Sequence, residues 1–529
     1  MKSIRILDCT LRDGGFVNNW KFDFGSMKSI ISRLDKAGVD MIEIGFIDDR
    51  HPYDQDRSML PDTDSFAPLL GGLEISKSMI VGMIDYGTCD ISKIAPRQES
   101  CIEGIRVIFK KKDQDAALEY LYQIKEKGYK IFVNPVSITG YTEEEIRILI
   151  EKINRIEPYA VSVVDTYGLM HNEELLHYFG LFNELLTKKI IIGYHSHNNF
   201  QMAYANSIAL SKIDIDRDLV LDCSLYGMGK GAGNANTELI AMYCNENFGK
   251  NYEIEQLLEA IDVDIMKEFA KNKWGYSLQY YIAALNDCHP DYVKFLLAKK
   301  TLAVKSVNEI LLSIPASEKL SFKKELIEKL YASYQNVSCS DEQAYAQLSQ
   351  SLRDKTVLLL GPGASIIHSS SSISSYIQDN KPVVISINFV HDLFKIDYVF
   401  MGNSKRYSQF FHKIYGQQTS SKVICTSNVS ESTKKIDYVF NYGSLTMENE
   451  SIRDNPLLML LKILKKCTVE NIVLAGFDGY SGANTDNYYN DYIPLLYCDD
   501  DVMKRNEAIS QSIKDMELNI TSITKTIYI

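Results

Sequence analysis

The chain has no CxxC pair and no cysteine-dense segment; its ten cysteines are scattered over 529 residues. A disulfide framework is thereby excluded, and a reduced, cytoplasmic chain is the simplest expectation. Long basic runs are also missing, and the formal net charge is −12. Nucleic acid is therefore not the expected main partner. Small anionic substrates stay open, because charge near a site can oppose the global balance. No apolar run reaches the length that spans a bilayer, so no membrane role is expected. The first residues run straight into a strand pattern at Ile4, and no signal peptide is expected. Internal repeats and low-complexity tracts are absent as well. What is present is ordinary globular composition, 45% hydrophobic and 24% charged, in a chain too long for one typical domain.

The first half alternates short apolar runs with amphipathic segments. Strands are expected at 4–8, 41–46, 79–85, 104–109, 130–134, 160–165, 190–197 and 219–226. Helical patterns fall between them, at 25–37, 113–127, 143–156, 172–186 and 200–211. Such alternation gives right-handed βαβ units and a parallel sheet, and eight units in this length predict a closed (β/α)8 barrel over residues 1–250. In that fold the active site lies at the C-terminal strand ends. Asp8, Glu43, Asp85, Asn134, Asp165, His195 and His197 fall there. Residues 251–334 lack strand patterning and predict a helical extension over the barrel mouth. Residues 335–355, rich in Ser, Gln and Asp, read as a linker. A second α/β pattern, an open-sheet Rossmann-like domain, is expected over 356–529.

His195 and His197, at i and i+2 on one strand, share a face. Two neutral imidazoles joined by a distant carboxylate make a three-ligand site with open positions. Asp13, in Asp8-Cys9-Thr10-Leu11-Arg12-Asp13-Gly14-Gly15, offers that carboxylate. Beside it Arg12 is a fixed cation suited to an oxyanion or enolate.

The segments DCTLRDGG, HSHNN and GMGKGAGNANTE, in this order, resemble the pyruvate-aldolase and acyl-lyase/Claisen synthase superfamily. Its members include 4-hydroxy-2-oxovalerate aldolase, 3-hydroxy-3-methylglutaryl-CoA lyase and isopropylmalate synthase. The resemblance covers roughly residues 1–250 and weakens toward residue 300. It implies a divalent metal (Mn, Mg, Co or Zn) held by Asp13, His195 and His197, with Asn234 approaching it. Arg12 then matches the arginine that stabilises the enolate oxygen, and Thr166 the position that binds the substrate carboxylate. Glu43 is similar to a family glutamate near the site, or else pairs with Arg12. Tyr276 sits where the aldolases place a tyrosine over the mouth. One departure stands out. Where aldolases carry an acid/base histidine, and synthases often a glutamine, this chain has Phe16. Asn18, Asn19, Tyr86, Tyr276, His289 or a metal-bound water are the alternatives.

In the second half, Leu358-Leu359-Leu360-Gly361-Pro362-Gly363-Ala364-Ser365 is a strand ending in a glycine turn, whose N–H groups could cradle a phosphate. With Ser386-Ile387-Asn388, 397–403 and 475–478 it resembles sialyltransferase-like and motility-accessory-factor-like Rossmann domains. That implies Gly361, Gly363, Ser365, Asn388 and Asn403 as contacts to a nucleotide or sugar phosphate. The expectation is a metal-dependent carbon–carbon lyase or aldolase acting on a 2-oxo acid and an aldehyde through a pyruvate-type enolate. A homo-oligomer is expected, with a role in making an unusual sugar or surface polysaccharide. The alternatives are an acyl-CoA-dependent Claisen condensing enzyme and a catalytically silent, ligand-sensing barrel.

Overall fold

Eight apolar runs of the first half become parallel strands: β1 (Ile4–Asp8), β2 (Met41–Ile47), β3 (Met79–Asp85), β4 (Gly104–Phe109), β5 (Lys130–Pro135), β6 (Ala160–Asp165), β7 (Ile191–Ser196) and β8 (Leu219–Cys223). This is a computed structural model, and it describes residues 3–416, 421–429, 436–481, 487–489 and 502–529. Each strand pairs with the next in sequence, and β1 pairs with both β8 and β2, which closes the barrel. A two-residue strand, Met59–Leu60, lies beside β2. The barrel belongs to the first of two compact units, Met1–Pro290 and Asp291–Ile529.

Period-two alternation explains the barrel interior. Leu7, Met41, Val81, Phe132, Ala160, Ile191 and Val220 belong to one apolar cluster, contributed by seven strands. Two residues further along the same faces stand Glu43, Asn134, Ser162 and Asp222; Arg106 follows Gly104 in the same way. A charged layer thus lies above an apolar floor, nearer the C-terminal strand ends. All five of these polar side chains are buried.

The helical stretch after the barrel divides between the units. Helices Ile254–Ala260, Met266–Lys271 and Leu278–Leu285 belong to the first, while Val304–Leu312 and Lys324–Gln335 belong to the second. Within the expected linker, 335–355, lies the helix Glu342–Leu352. Its Tyr345, Leu348 and Leu352, at helical spacing, are buried in a core of the second unit. The polar composition that suggested a linker belongs to the helix's remaining positions.

The second unit is an open seven-stranded parallel sheet. Its strands are β9 (Val357–Leu360), β10 (Val383–Ile387), β11 (Tyr398–Met401), β12 (Lys422–Thr426), β13 (Tyr438–Phe440), β14 (Ile472–Ala475) and β15 (Ile520–Ser522). They run in the order β13-β12-β11-β10-β9-β14-β15, so strand order reverses at β9 and β14. Apolar clusters cover both faces of this sheet, as a parallel sheet requires.

Candidate active site

Asp13 ends a single helical turn, Thr10–Asp13, directly after β1. His195 lies on β7, and His197 one residue past its end. An isolated bridge joins His197 to Asn234 from the loop after β8. One ligand atom each from Asp13, His195 and His197 lies within 4.8 Å of the others, and all three residues are buried. The expected triad therefore converges at the barrel mouth.

A closed circuit of buried charge surrounds it. Arg12 donates from Nη1 to Asp13 at 2.6 Å and from Nε to Glu43 at 2.7 Å. Glu43 Oε1 lies 3.2 Å from Arg106 Nη1, and Arg106 also bonds Asp222. Asp222 Oδ2 lies 3.1 Å from His195 Nδ1, and Asp13 Oδ2 lies 3.7 Å from His197 Nδ1. Counting imidazoles as neutral, three carboxylates (Asp13, Glu43, Asp222) face two guanidiniums (Arg12, Arg106), which leaves one negative charge. Burial favours a neutral Asp13 carboxyl, but His197, Arg12 and His195 outweigh it and hold the group below the usual carboxylate range. Burial, aided by His195, Lys230 and Arg12, pushes His197 down to about 3 against the pull of Asp13. The imidazole is neutral at physiological pH, the form that binds metals.

The donor set fits a divalent cation. Buried Asn234 donates through Nδ2 to Asp13 Oδ2 at 2.8 Å, while its Oδ1 has no hydrogen-bond partner. Nδ1 of His197 is likewise without one. Nδ1 of His195 is close to Asp222 but out of line for a hydrogen bond. A cation beside Asn234 Oδ1 and His197 Nδ1 would satisfy otherwise costly buried polar atoms and offset the residual negative charge. Gly229 permits the approach: a Cβ there would meet Asn234 Nδ2 at 2.3 Å and Asp13 Oδ2 at 2.5 Å.

Other expected residues separate. Glu43 is the ion-pair partner of Arg12 and also faces Arg106. Thr166 Oγ1 accepts a hydrogen bond from Ser137 N–H at 2.7 Å, tying together the loops after β5 and β6. Tyr276 is 62% exposed and lies against the Tyr281 ring. Phe16 packs edge-on against Trp20 and Phe46, and Lys230 Nζ lies 5.3 Å from its ring centroid. Of the alternative proton carriers, Asn18 donates to Lys21 O, Tyr86 packs on Tyr120 and His289 on Tyr167. Sequence reading missed Arg106 and Asp222. The signal was present, since each is a lone charge inside an otherwise apolar strand.

The glycine turn of the second unit does not match the expected phosphate cradle. The N–H groups of Gly361 and Gly363 donate to Ala475 O and Gly476 O, each at 2.8 Å. Asp478 accepts from Ser365 N at 2.8 Å and from its hydroxyl. A Cβ at Gly363 would lie 2.6 Å from Gly476 O, so glycine serves close loop packing here. Asn388 Oδ1 accepts from Gly402 N, and Asn403 caps the helix Ser404–Ile414.

Part of the chain is similar to known proteins. Residues 97–263 match the HMGL-like family. The chain is 27% identical over 269 residues to 4-hydroxy-2-oxovalerate aldolase of Pelotomaculum thermopropionicum, covering 49% of this chain and 76% of that protein. It is 26% identical over 251 residues to 4-hydroxy-2-oxovalerate aldolase 2 of Comamonas testosteroni, covering 46% and 69%. Among solved structures, the HMG-CoA lyase of Bacillus subtilis is 18% identical, covering 50% of this chain and 93% of that one at a TM-score of 0.41. The barrel is similar to the HMGL-like family and to these aldolases. These relatives support an enzyme acting on carbon–carbon bonds. Among the described residues, no helix is long and apolar enough to cross a membrane.

Proposed function

We propose that the barrel cleaves or forms a carbon–carbon bond next to the carbonyl of a 2-oxo acid, with an aldehyde as the second partner. The observation that carries this reading is the closed charge circuit that ends on two histidines and an aspartate. Asp13, His195 and His197 would hold the divalent ion, with Asn234 beside them. Bound there, the ion supplies Lewis acidity to a carbonyl oxygen.

Breaking the bond beside the carbonyl leaves an enolate whose oxygen carries the new charge. Arg12 is placed to meet it. Two of its N–H donors are committed to Asp13 and Glu43, and its carbonyl accepts from Trp20 Nε1 at 2.7 Å. The guanidinium is thus fixed before substrate arrives, so little reorganisation is needed when charge develops. Glu43, which also faces Arg106, holds this cation in place from behind. The aromatic group of Phe16, Trp20 and Phe46 replaces a titratable residue at the expected position, and Lys230 brings a cation over Phe16. This composition suits a substrate with an anionic end and an apolar body.

The test is proton exchange into the methyl group of pyruvate, followed by NMR with and without metal. Metal-dependent exchange supports enolate formation without needing the acceptor. No exchange in a metal-loaded, folded enzyme, together with release of CoA thiol from acetyl-CoA and a 2-oxo acid, would favour Claisen condensation instead.

A further inference from the structure

Phe16 stands where a titratable proton carrier is expected, and it packs on Trp20 and Phe46 instead. A carrier has to come from another part of the mouth. Most carboxylates near the C-terminal strand ends are committed. Asp8 accepts from Thr10 N–H and the Thr237 hydroxyl, Asp165 from the N–H groups of Leu169 and Met170, and Asp48 from Arg50. Asp13, Glu43 and Asp222 belong to the charge circuit. Asp85, the last residue of β3, differs: among the described residues its carboxylate has neither a hydrogen bond nor an ion pair.

Its direction follows from the strand. Val81 lies in the apolar floor, and Met83 packs with Phe46 beside Trp20 and Ile108. Asp85 comes next on that inward face, about 6.6 Å nearer the mouth than Met83. Its register neighbour on β4 is Ile108. The Phe46 ring lies against Phe16 and Trp20, and its centroid is 5.8 Å from the guanidinium carbon of Arg12. Asp85 therefore stands over the aromatic group that includes Phe16, on the side of the mouth where Arg12 lies.

We propose that Asp85 is the general acid/base of the barrel, taking the place of the titratable residue that Phe16 displaces.

This rests on the reading of the barrel as an aldolase of 2-oxo acids. In the cleavage direction the Asp85 carboxylate takes the proton of the hydroxyl at C4. The C3–C4 bond breaks, the C4–O bond becomes the aldehyde carbonyl, and the released electron pair enters the enolate over C3, C2 and its oxygen. Asp85 then returns a proton to C3, which gives the 2-oxo acid and restores the carboxylate. No further reactant is needed. The surrounding charge suits this role. Burial raises Asp85 above the ordinary carboxylate value, helped by Asp48, while Lys110, Arg50 and Lys230 pull against it. That moves the group toward neutral pH, where an acid/base works best. Arg50 is turned onto Asp48 through two N–H donors, so it acts on Asp85 by field alone. Lys230 links Asp85 to the triad: its backbone N–H donates to Asp13 Oδ2 at 3.2 Å, and its ammonium, over the Phe16 ring, acts on Asp85.

Proton exchange into the methyl group of pyruvate, followed by NMR on the metal-loaded full chain, tests the assignment, because Asp85 must then take a proton from C3. Asp85→Asn should slow exchange by about 10²-fold or more at saturating pyruvate, with KM and bound metal close to wild type. Wild-type exchange should fall on acidification as Asp85 gains a proton, at a pH above the ordinary carboxylate range, and Asp85→Asn should lack this limb. The side chain has no partner to lose, so the thermal midpoint should not drop. Asp85→Ser carries the test if Asp85→Asn does not fold. Exchange within about threefold of wild type in a folded variant overturns the assignment, as does a rate loss matched by loss of metal. Metal-loaded wild type without exchange overturns the aldolase reading, and this assignment with it; wild-type exchange that persists in Asp85→Asn overturns the assignment alone.

Discussion

Asp222 Oδ2 stands 3.1 Å from Nδ1 of His195 and is the same oxygen that accepts from Arg106 Nη2. Its charge beside the ring increases the basicity of the imidazole toward a metal. Asp222→Asn should lower metal affinity by about 10–100-fold while all three proposed ligands remain. A chelator-competition titration measures it, and unaltered affinity would count against this electrostatic role.

Gly229 makes a second, independent test of the same site. No ligand is changed in Gly229→Ala, yet its methyl would overlap Asn234 and Asp13. Metal content by mass spectrometry should fall, with a stability loss of about 1–3 kcal/mol from local overpacking. Full metal occupancy would show that the loop relaxes without moving Asp13.

Arg12→Lys keeps the charge but loses the planar fork that spans Asp13 and Glu43. Metal-dependent pyruvate exchange should slow by about 10²-fold or more, with a smaller change in KM. Equal losses of rate and of bound metal would instead place Arg12 in support of Asp13.

Glu43 separates two buried cations, Arg12 and Arg106. Glu43→Gln removes that compensation and should cost about 3–5 kcal/mol in chemical denaturation. A loss below about 1 kcal/mol would mean that the neighbouring carboxylates take over.

His391, 4% exposed in the second unit, stacks on Tyr489 with both ring nitrogens lacking hydrogen-bond partners. Burial, assisted by Lys413 and opposed by Asp392, pushes it down to about 4. The unfolded chain therefore takes up a proton near pH 6.5 that the folded chain refuses until about pH 4. The stabilising contribution is present above pH 6.5, declines through that interval and is about 3 kcal/mol at most. His391→Phe should flatten the fall in thermal midpoint over this window. An equal fall in wild type and variant would assign the acid sensitivity to other groups.

Much of the architecture is local information. Strand–helix alternation, the shared face of His195 and His197, and the Arg12-Asp13 turn after β1 are written in contiguous residues, because side-chain direction repeats every two positions in a strand. Where composition misled, a longer-range pattern was hidden: the polar run around 335–355 conceals Tyr345, Leu348 and Leu352 on one helix face. Tertiary structure alone decided the partners. Arg106 meets Asp222 across 116 positions because the barrel closes, and inward charges on different strands then have no water to face and must pair. The same reason governs the second unit. A glycine turn after a strand predicts exposed N–H donors, but Asp478 and the Gly476 loop fold onto it and take them. Sequence supplies each donor and acceptor, and chain closure determines which of them meet before a ligand can.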